Sequence, residues 1–158
     1  VSPIVADAIA AGVAELEHVV DVPTGALGYG TDLGCDSDLA EAMDDVSDTL
    51  VLAQALARRL DCPRGALPDD AGYGVDLRGM CNRGVTDRRV RELADLVRVE
   101  VQKDDRVDSA SVTVMPASDG SALAVKIVAT PRSPTISRFS LTLSVTSAAV
   151  LIAELQSA

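Results

Sequence analysis

The sequence predicts an α+β fold, with N-terminal helices packed on a small antiparallel β-sheet formed mainly by the C-terminal half. Three observations carry that expectation. Apolar residues recur at helical spacing up to about Val101. The period changes to alternation after Arg106, and Gly-, Pro- and Asp-rich turns separate the segments. Helices first and antiparallel strands last define an α+β domain.

Taken in order, Ser2 and Pro3 read as an N-cap followed by proline at the first helical position. Ile4, Val5, Ala8, Ile9, Val13, Leu16, Val19 and Val20 then recur at helical spacing. This amphipathic helix ends before Pro23, so residues 1–22 form a helical extension to a domain spanning 23–158. The segment Val22 to Asp38, with Gly25, Gly28, Gly30 and Gly34, reads as a surface run of turns. Ser47 or Asp48 caps a second helix through Leu60, in which Leu52, Leu56 and Leu60 lie one turn apart. Arg58 and Arg59 sit near its C-terminal end, where the helix dipole favours cations, and Pro63 stops it. Thr86 and Asp87 begin a third helix with a buried stripe of Val90, Leu93, Ala94, Val97 and Val101, while Arg88, Arg91, Glu92, Asp95 and Arg98 face away.

Downstream, Ala110, Val112 and Val114 share one strand face, opposite Ser109, Ser111 and Thr113. An Asp119-Gly120 turn follows, and Leu123, Val125, Ile127 and Ala129 share the face of a second strand, which makes a hairpin. Beyond a loop holding Pro131 and Pro134, Phe139, Leu141, Leu143 and Val145 alternate with Ser140, Thr142 and Ser144 as a third half-buried strand. The run SAAVLIAELQSA fits either a strand or a short helix, because a continuous apolar stretch has no diagnostic period.

With 47% apolar residues in 158, the chain has enough hydrophobic material for one ordinary domain; with two Tyr, one Phe and no Trp, its core must be aliphatic. The formal charge of −10, from 24 Asp and Glu against 14 Lys and Arg, opposes nucleic-acid binding, since a phosphate backbone is repelled. No stretch reaches the roughly 18 uncharged apolar residues that a membrane helix requires. Asp7, Glu15 and Glu17 stand where a signal peptide has a basic start and an unbroken apolar centre, so the cytoplasm is the expected location. Cys35, Cys62 and Cys81, an odd set without CxxC spacing, are expected as buried free thiols, with an intermolecular bridge as the alternative, and not as a disulfide framework or zinc site.

The residues offer no recognisable catalytic set. His18 is the only histidine and has no Ser or Cys nucleophile near it in sequence. The Gly-rich GALGYG and GYGVD lack the Lys-Ser/Thr that completes a phosphate loop. Asp69, Asp70, Asp76, Asp104 and Asp105 could supply an acid/base pair for glycoside hydrolysis, but sugar clefts usually carry aromatic platforms and this chain has few aromatics; exposed loop carboxylates are the expectation. No catalytic residue, cofactor or metal ligand is therefore assigned.

One stretch stands out. RGALPDDAGYGVDL, Arg64 to Leu77, crowds Gly, Pro and Asp between two helical segments. Pro63 ends the preceding helix, Gly65 permits a sharp exit, and Gly72 and Gly74 let the chain bend on both sides of Tyr73. Pro63, Arg64, Gly65, Gly72, Tyr73, Gly74 and Asp76 are thus candidates for a loop of fixed shape that either closes the fold or meets a partner.

In the order and spacing of its pieces, LAQALARRLDCPRGALPDDAGYGVDLRGMCNRGVTDRRVRELADLVRVEVQKDDRVDSASVTV resembles the baseplate wedge and sheath-initiator family of contractile tails. That family includes the T4-type phage wedge protein, the W-type baseplate protein of other phages, and the matching subunit of type VI secretion and related injection machines. The likeness covers about Thr31 to Val145. In the family a helix ends in a Thr-Pro-Arg-Gly-like corner, and a Pro and a Tyr/Phe-Gly turn follow. A helix beginning near a Thr then ends at an acidic-Pro-Arg motif before a β-hairpin. Here the corner is Asp61-Cys62-Pro63-Arg64-Gly65, the turn Gly72-Tyr73-Gly74-Val75-Asp76-Leu77, and the motif Asp104-Asp105-Arg106-Val107. Asp105 stands where the family has Pro, so the ionic ends are kept and the pre-set geometry of proline is lost.

The resemblance implies a structural subunit and not an enzyme, present in multiple copies in a symmetric ring. Its partners would be baseplate wedge proteins, tube or hub proteins, and the first sheath subunits, with no nucleic acid and no membrane. It would be made in the host cytoplasm and end in the virion tail baseplate or a cytoplasmic injection particle. The same resemblance implies that Asp104, Asp105 and Arg106 form a partner-contacting ionic motif. It also implies that the strand carrying Phe139, Leu141, Leu143 and Val145, with the hairpin before it, pairs with sheath subunits. Some members carry a lysozyme label and a regulatory adaptor shares the fold, so a glycoside hydrolase and a soluble adaptor are the alternative implications.

Overall fold

The computed structural model describes residues 29–35, 43–81, 86–118 and 120–157; the expected helix over 1–22, His18 and Asp119 lie outside them. The chain enters through β1 (Thr31–Leu33), which pairs antiparallel with β2 (Asp45–Ser47). These three-residue strands fall in and just beyond the stretch read as turns, and are too short to show a period.

Ser47 is the N-cap of α1 (Asp48–Asp61), although its side chain makes no capping hydrogen bond. Leu52, Leu56 and Leu60, one turn apart, are wholly buried, and Pro63 follows the end of the helix as expected. A short α2 (Leu77–Cys81), not foreseen from the sequence, comes next. Thr86 then caps α3 (Asp87–Val101), its Oγ1 accepting the Arg89 amide at 3.4 Å. On α3, Leu93, Val97 and Val101 face the core, and so does Glu100, a charged residue inside an apolar stripe.

The alternating half of the chain forms β3 (Val107–Pro116), β4 (Ala122–Pro131), β5 (Phe139–Thr146) and β6 (Val150–Ser157). Together they make one antiparallel sheet in the order β3-β4-β5-β6. Residues such as Val125, Ile127, Leu141 and Leu143 point from the sheet into the core, where α1 and α3 supply the facing leucines and valines. The opposite face carries half-buried Ser140, Thr142 and Ser144 beside exposed Lys126, which is the apolar-in, polar-out alternation of a sheet covered on one side among the described residues. Bulges interrupt both outer ladders. On β6 the register passes from Thr142↔Glu154 to Leu143↔Ile152, leaving Ala153 without a β5 partner.

One open alternative is settled here and one expectation changes. The run SAAVLIAELQSA resolves into a turn followed by the strand β6, with Thr146 accepting hydrogen bonds from Ala148 and Ala149 through its Oγ1. As a result the strand carrying Phe139, Leu141, Leu143 and Val145 is interior. It is hydrogen-bonded to β4 on one side and β6 on the other, and these four side chains are buried against the helices. That strand has no free edge and cannot itself receive a sheath strand; the outer positions belong to β3 and β6. Among the described residues no helix is long and apolar enough to cross a membrane.

Candidate functional site

The loop from Cys62 to Asp76 leaves α1, runs exposed from Pro63 to Gly72, and returns to the core at Gly74 and Val75. Its closure is a backbone contact: the Asp76 amide donates to the Cys62 carbonyl at 3.1 Å, so the two ends of the loop meet. Gly74 has φ of +95°, and a Cβ there would lie 2.2 Å from the Cys62 carbonyl oxygen, so close approach and backbone conformation both require glycine. Gly65 has φ of +82° but faces open space. Gly72 does not take the left-handed conformation, which corrects the expectation that both flanks of Tyr73 need glycine. Its amide instead donates to Asp70 Oδ1 at 3.0 Å. Asp76, at φ of +60°, opens α2 and accepts the Gly79 amide at 3.0 Å through its side chain.

The loop is held by a residue the sequence reading did not single out. Glu100, 1% exposed, accepts hydrogen bonds from Arg59 Nη1 at 2.9 Å, Arg64 Nη2 at 3.1 Å, Lys103 Nζ at 2.8 Å and the Gly74 amide at 3.0 Å. Arg64 Nε also donates to the Gly74 carbonyl at 3.2 Å, and Lys103 Nζ to the Gly72 carbonyl at 3.0 Å. The Arg59 guanidinium lies 4.2 Å from the centre of the Tyr73 ring, a cation–π stack that makes Tyr73 an anchor. Burial works to raise the Glu100 carboxyl, but the Lys103 ammonium, the Gly74 amide and the Arg59 guanidinium together outweigh it and hold the group below the usual carboxylate range. A signal was available: Glu100 follows Val97 by three positions and precedes Val101, so it is the one charge inside the apolar arc of α3.

At the exit of α3 the ionic motif folds on itself. Asp104 Oδ2 meets Arg106 Nη2 at 2.7 Å, and Asp104 Oδ1 accepts from Arg106 Nε at 2.8 Å and from its amide at 3.1 Å. Burial raises the Asp104 carboxyl, and the hydrogen bonds from Arg106 more than offset this and leave it lowered. Tyr29 Oη and the Arg132 amide both donate to the Arg106 carbonyl at 2.8 Å, fastening this turn to the entry segment and to the end of β4. Asp104 and Arg106 thus shape the turn into β3 by pairing with each other, and Asp105 alone of the three is exposed. The loop and the motif are neighbours, since Lys103, whose ammonium holds the Gly72 carbonyl and Glu100, immediately precedes Asp104 in the chain. The strand residues Phe139 to Val145 lie apart, inside the sheet.

The remaining candidates have local roles. Asp70, Asp76 and Asp104 accept hydrogen bonds within their own turns. Cys35, Cys62 and Cys81 are free thiols; Cys81 is buried as expected, whereas Cys35 and Cys62 are only half-buried, which corrects the expectation for those two. Among the described residues no group of His, Cys, Asp and Glu is arranged to hold a metal ion. No protein-family model and no curated protein matches the chain.

Two measurements follow from this geometry. In urea unfolding, Gly65→Ala is expected to cost about 1–2 kcal/mol for its left-handed backbone, and Gly74→Ala clearly more, because its Cβ also meets the Cys62 carbonyl; equal losses contradict the packing. Glu100→Gln is expected to cost, at neutral pH, the lower end of the ~3–5 kcal/mol for breaking a buried ion pair, since Arg64 and Lys103 keep part of their hydration. A lowered carboxyl contributes stability that is full above its unfolded value of about 4.3 and is lost as pH falls through the folded value. The gap between wild type and variant must therefore narrow in acid, and a gap independent of pH refutes the charged hub.

Proposed function

We propose that the chain is a structural subunit of a contractile-tail baseplate or a related injection particle, which joins the wedge and starts sheath growth by β-strand pairing. The observation that carries this reading is β6. It is an eight-residue outer strand with one charged residue, Glu154, and no strand beside its outer edge among the described residues. A free edge presents a row of backbone donors and acceptors that passes direction and register to an added strand, as a template for polymerisation must. Such a template has to be stiff, and β6 is backed by α1 on the covered side of the sheet. The exposed arc Pro63 to Gly72, pinned at both ends, supplies a fixed surface for wedge proteins in the same reading. Catalysis has no part in it.

Removing Ser137–Ala158 would take β5 out of the core and test folding instead of assembly. Ala153→Pro is the sharper variant, because Ala153 has no β5 register partner and proline is tolerated at bulges and edges while removing a backbone donor. Its thermal midpoint should stay within about 4 °C of wild type. Electron microscopy of particles carrying it should show assembled wedges without sheath, and sheaths of normal length on those particles would defeat the reading.

A further inference from the structure

A cavity of about 260 Å³ opens where the end of α1, α2 and the turn into β6 meet, and Arg58, Asp61, Arg78, Ala148 and Val150 line it. Since a cavity of ~150 Å³ accepts benzene, this one has room for the end group of a peptide. Among the described residues two guanidiniums line it against one lining carboxylate, Asp61, with Asp32 outside the lining beside Arg58. Arg78 Nε lies 2.5 Å from Asp61 Oδ1, and Arg78 Nη1 reaches the Ala148 carbonyl only at 3.5 Å. Arg58 Nη2 makes a long contact of 3.4 Å with the exposed Asp32. A guanidinium carries five N–H donors, so the contacts made among the described residues use only part of the donor capacity of Arg58 and Arg78.

We infer that this cavity is a carboxylate-binding anchor at the end of the open β6 edge, and that it selects an incoming strand by its direction. The inference rests on the reading of β6 as an acceptor edge. β6 begins at Val150, on the cavity wall, and runs away from it. A strand added antiparallel, like every other pairing in the sheet, brings its C-terminal end to Arg58 and Arg78. A parallel strand brings its N-terminal amine there and meets two like charges. The ligand class is therefore an extended peptide, antiparallel to β6, whose last residue presents a terminal or side-chain carboxylate. The chain's net charge of −10 does not oppose this at contact range, because at physiological salt the Debye length is about 8 Å and the nearest charges decide.

The test uses the full chain and three acetylated eight-residue strands of alternating Thr and Val: one with a free C-terminal carboxylate, one amidated, and one amidated with Glu as its first residue. Binding is measured at 0.15 M salt while hydrogen exchange follows the β6 amides. The free acid is expected to bind about tenfold tighter than the plain amide, the scale of one charge-assisted contact. That contrast should shrink in Arg58→Gln and again in Arg58→Gln/Arg78→Gln. Equal affinity of acid and amide with β6 protected by both overturns the anchor and leaves the edge reading standing. Protection of β6 by none of the peptides sinks the edge reading and the anchor with it. The leading-Glu strand binding as tightly as the acid overturns the directional claim. Should Arg78→Gln fail to fold, Arg58→Gln decides, since its guanidinium has only the long Asp32 contact among the described residues; an unchanged contrast there overturns the anchor.

Discussion

A single buried carboxylate fixes the shape of the helical half. Glu100 gathers donors from the end of α1, from the first corner of the loop, from the loop's return and from the turn after α3, tying four stretches of chain at one point. Taking a carboxylate out of water costs several kcal/mol, which is offset only when geometry and partners are good. Three cations and a backbone amide meet that condition, and they leave the cluster with surplus positive charge in an acidic chain. A cluster of this kind adds little net stability over a well-packed apolar group. What it supplies is a defined position, because Arg64 and the Gly74 amide must both reach the same carboxylate. An aliphatic core alone could hold α1 and α3 together without specifying the path between them.

The same region sets how the sheet begins. Lys103 extends the Glu100 cluster into the turn where Asp104 and Arg106 pair, and Tyr29 and Arg132 seize the Arg106 carbonyl as β3 starts. Register across the sheet is then enforced by alternation, since a slip of one residue would expose Leu141 and Leu143 and bury Ser140 and Thr142. Among the described residues the outcome is a sheet with one covered face and two outer strands. The proposed strand addition needs such a support, because an edge that yields cannot transmit register.

The parts of this architecture that were legible in the sequence are those with a local period. The leucines of α1, the stripe of α3, the hairpin and the alternation of β5 all repeat every 3.6 or 2 residues, and each element appears where it was expected. The rest depends on contacts distant in sequence. Alternation shows that Phe139 to Val145 is half-buried but not that strands flank it on both sides, and β6 has no period to separate it from a helix. Asp104 and Arg106 were visible as an ionic pair, yet only the fold turns them toward each other. Glu100 was hidden among the many charges of α3, although its place in the apolar arc distinguished it. The loop's glycines were legible in kind, while the need at Gly74 arises from the Cys62 carbonyl twelve residues earlier.

Amide hydrogen exchange at Gly74 is the most direct measurement of this constraint, because that N–H donates to the buried Glu100 carboxylate. If the hub locks the loop, Gly74 exchanges on the timescale of the Val97 and Val101 amides in α3. Exchange of Gly74 as fast as that of the exposed Leu67 and Asp69, with α3 still protected, would show that the loop opens independently of the core and that Glu100 does not hold it.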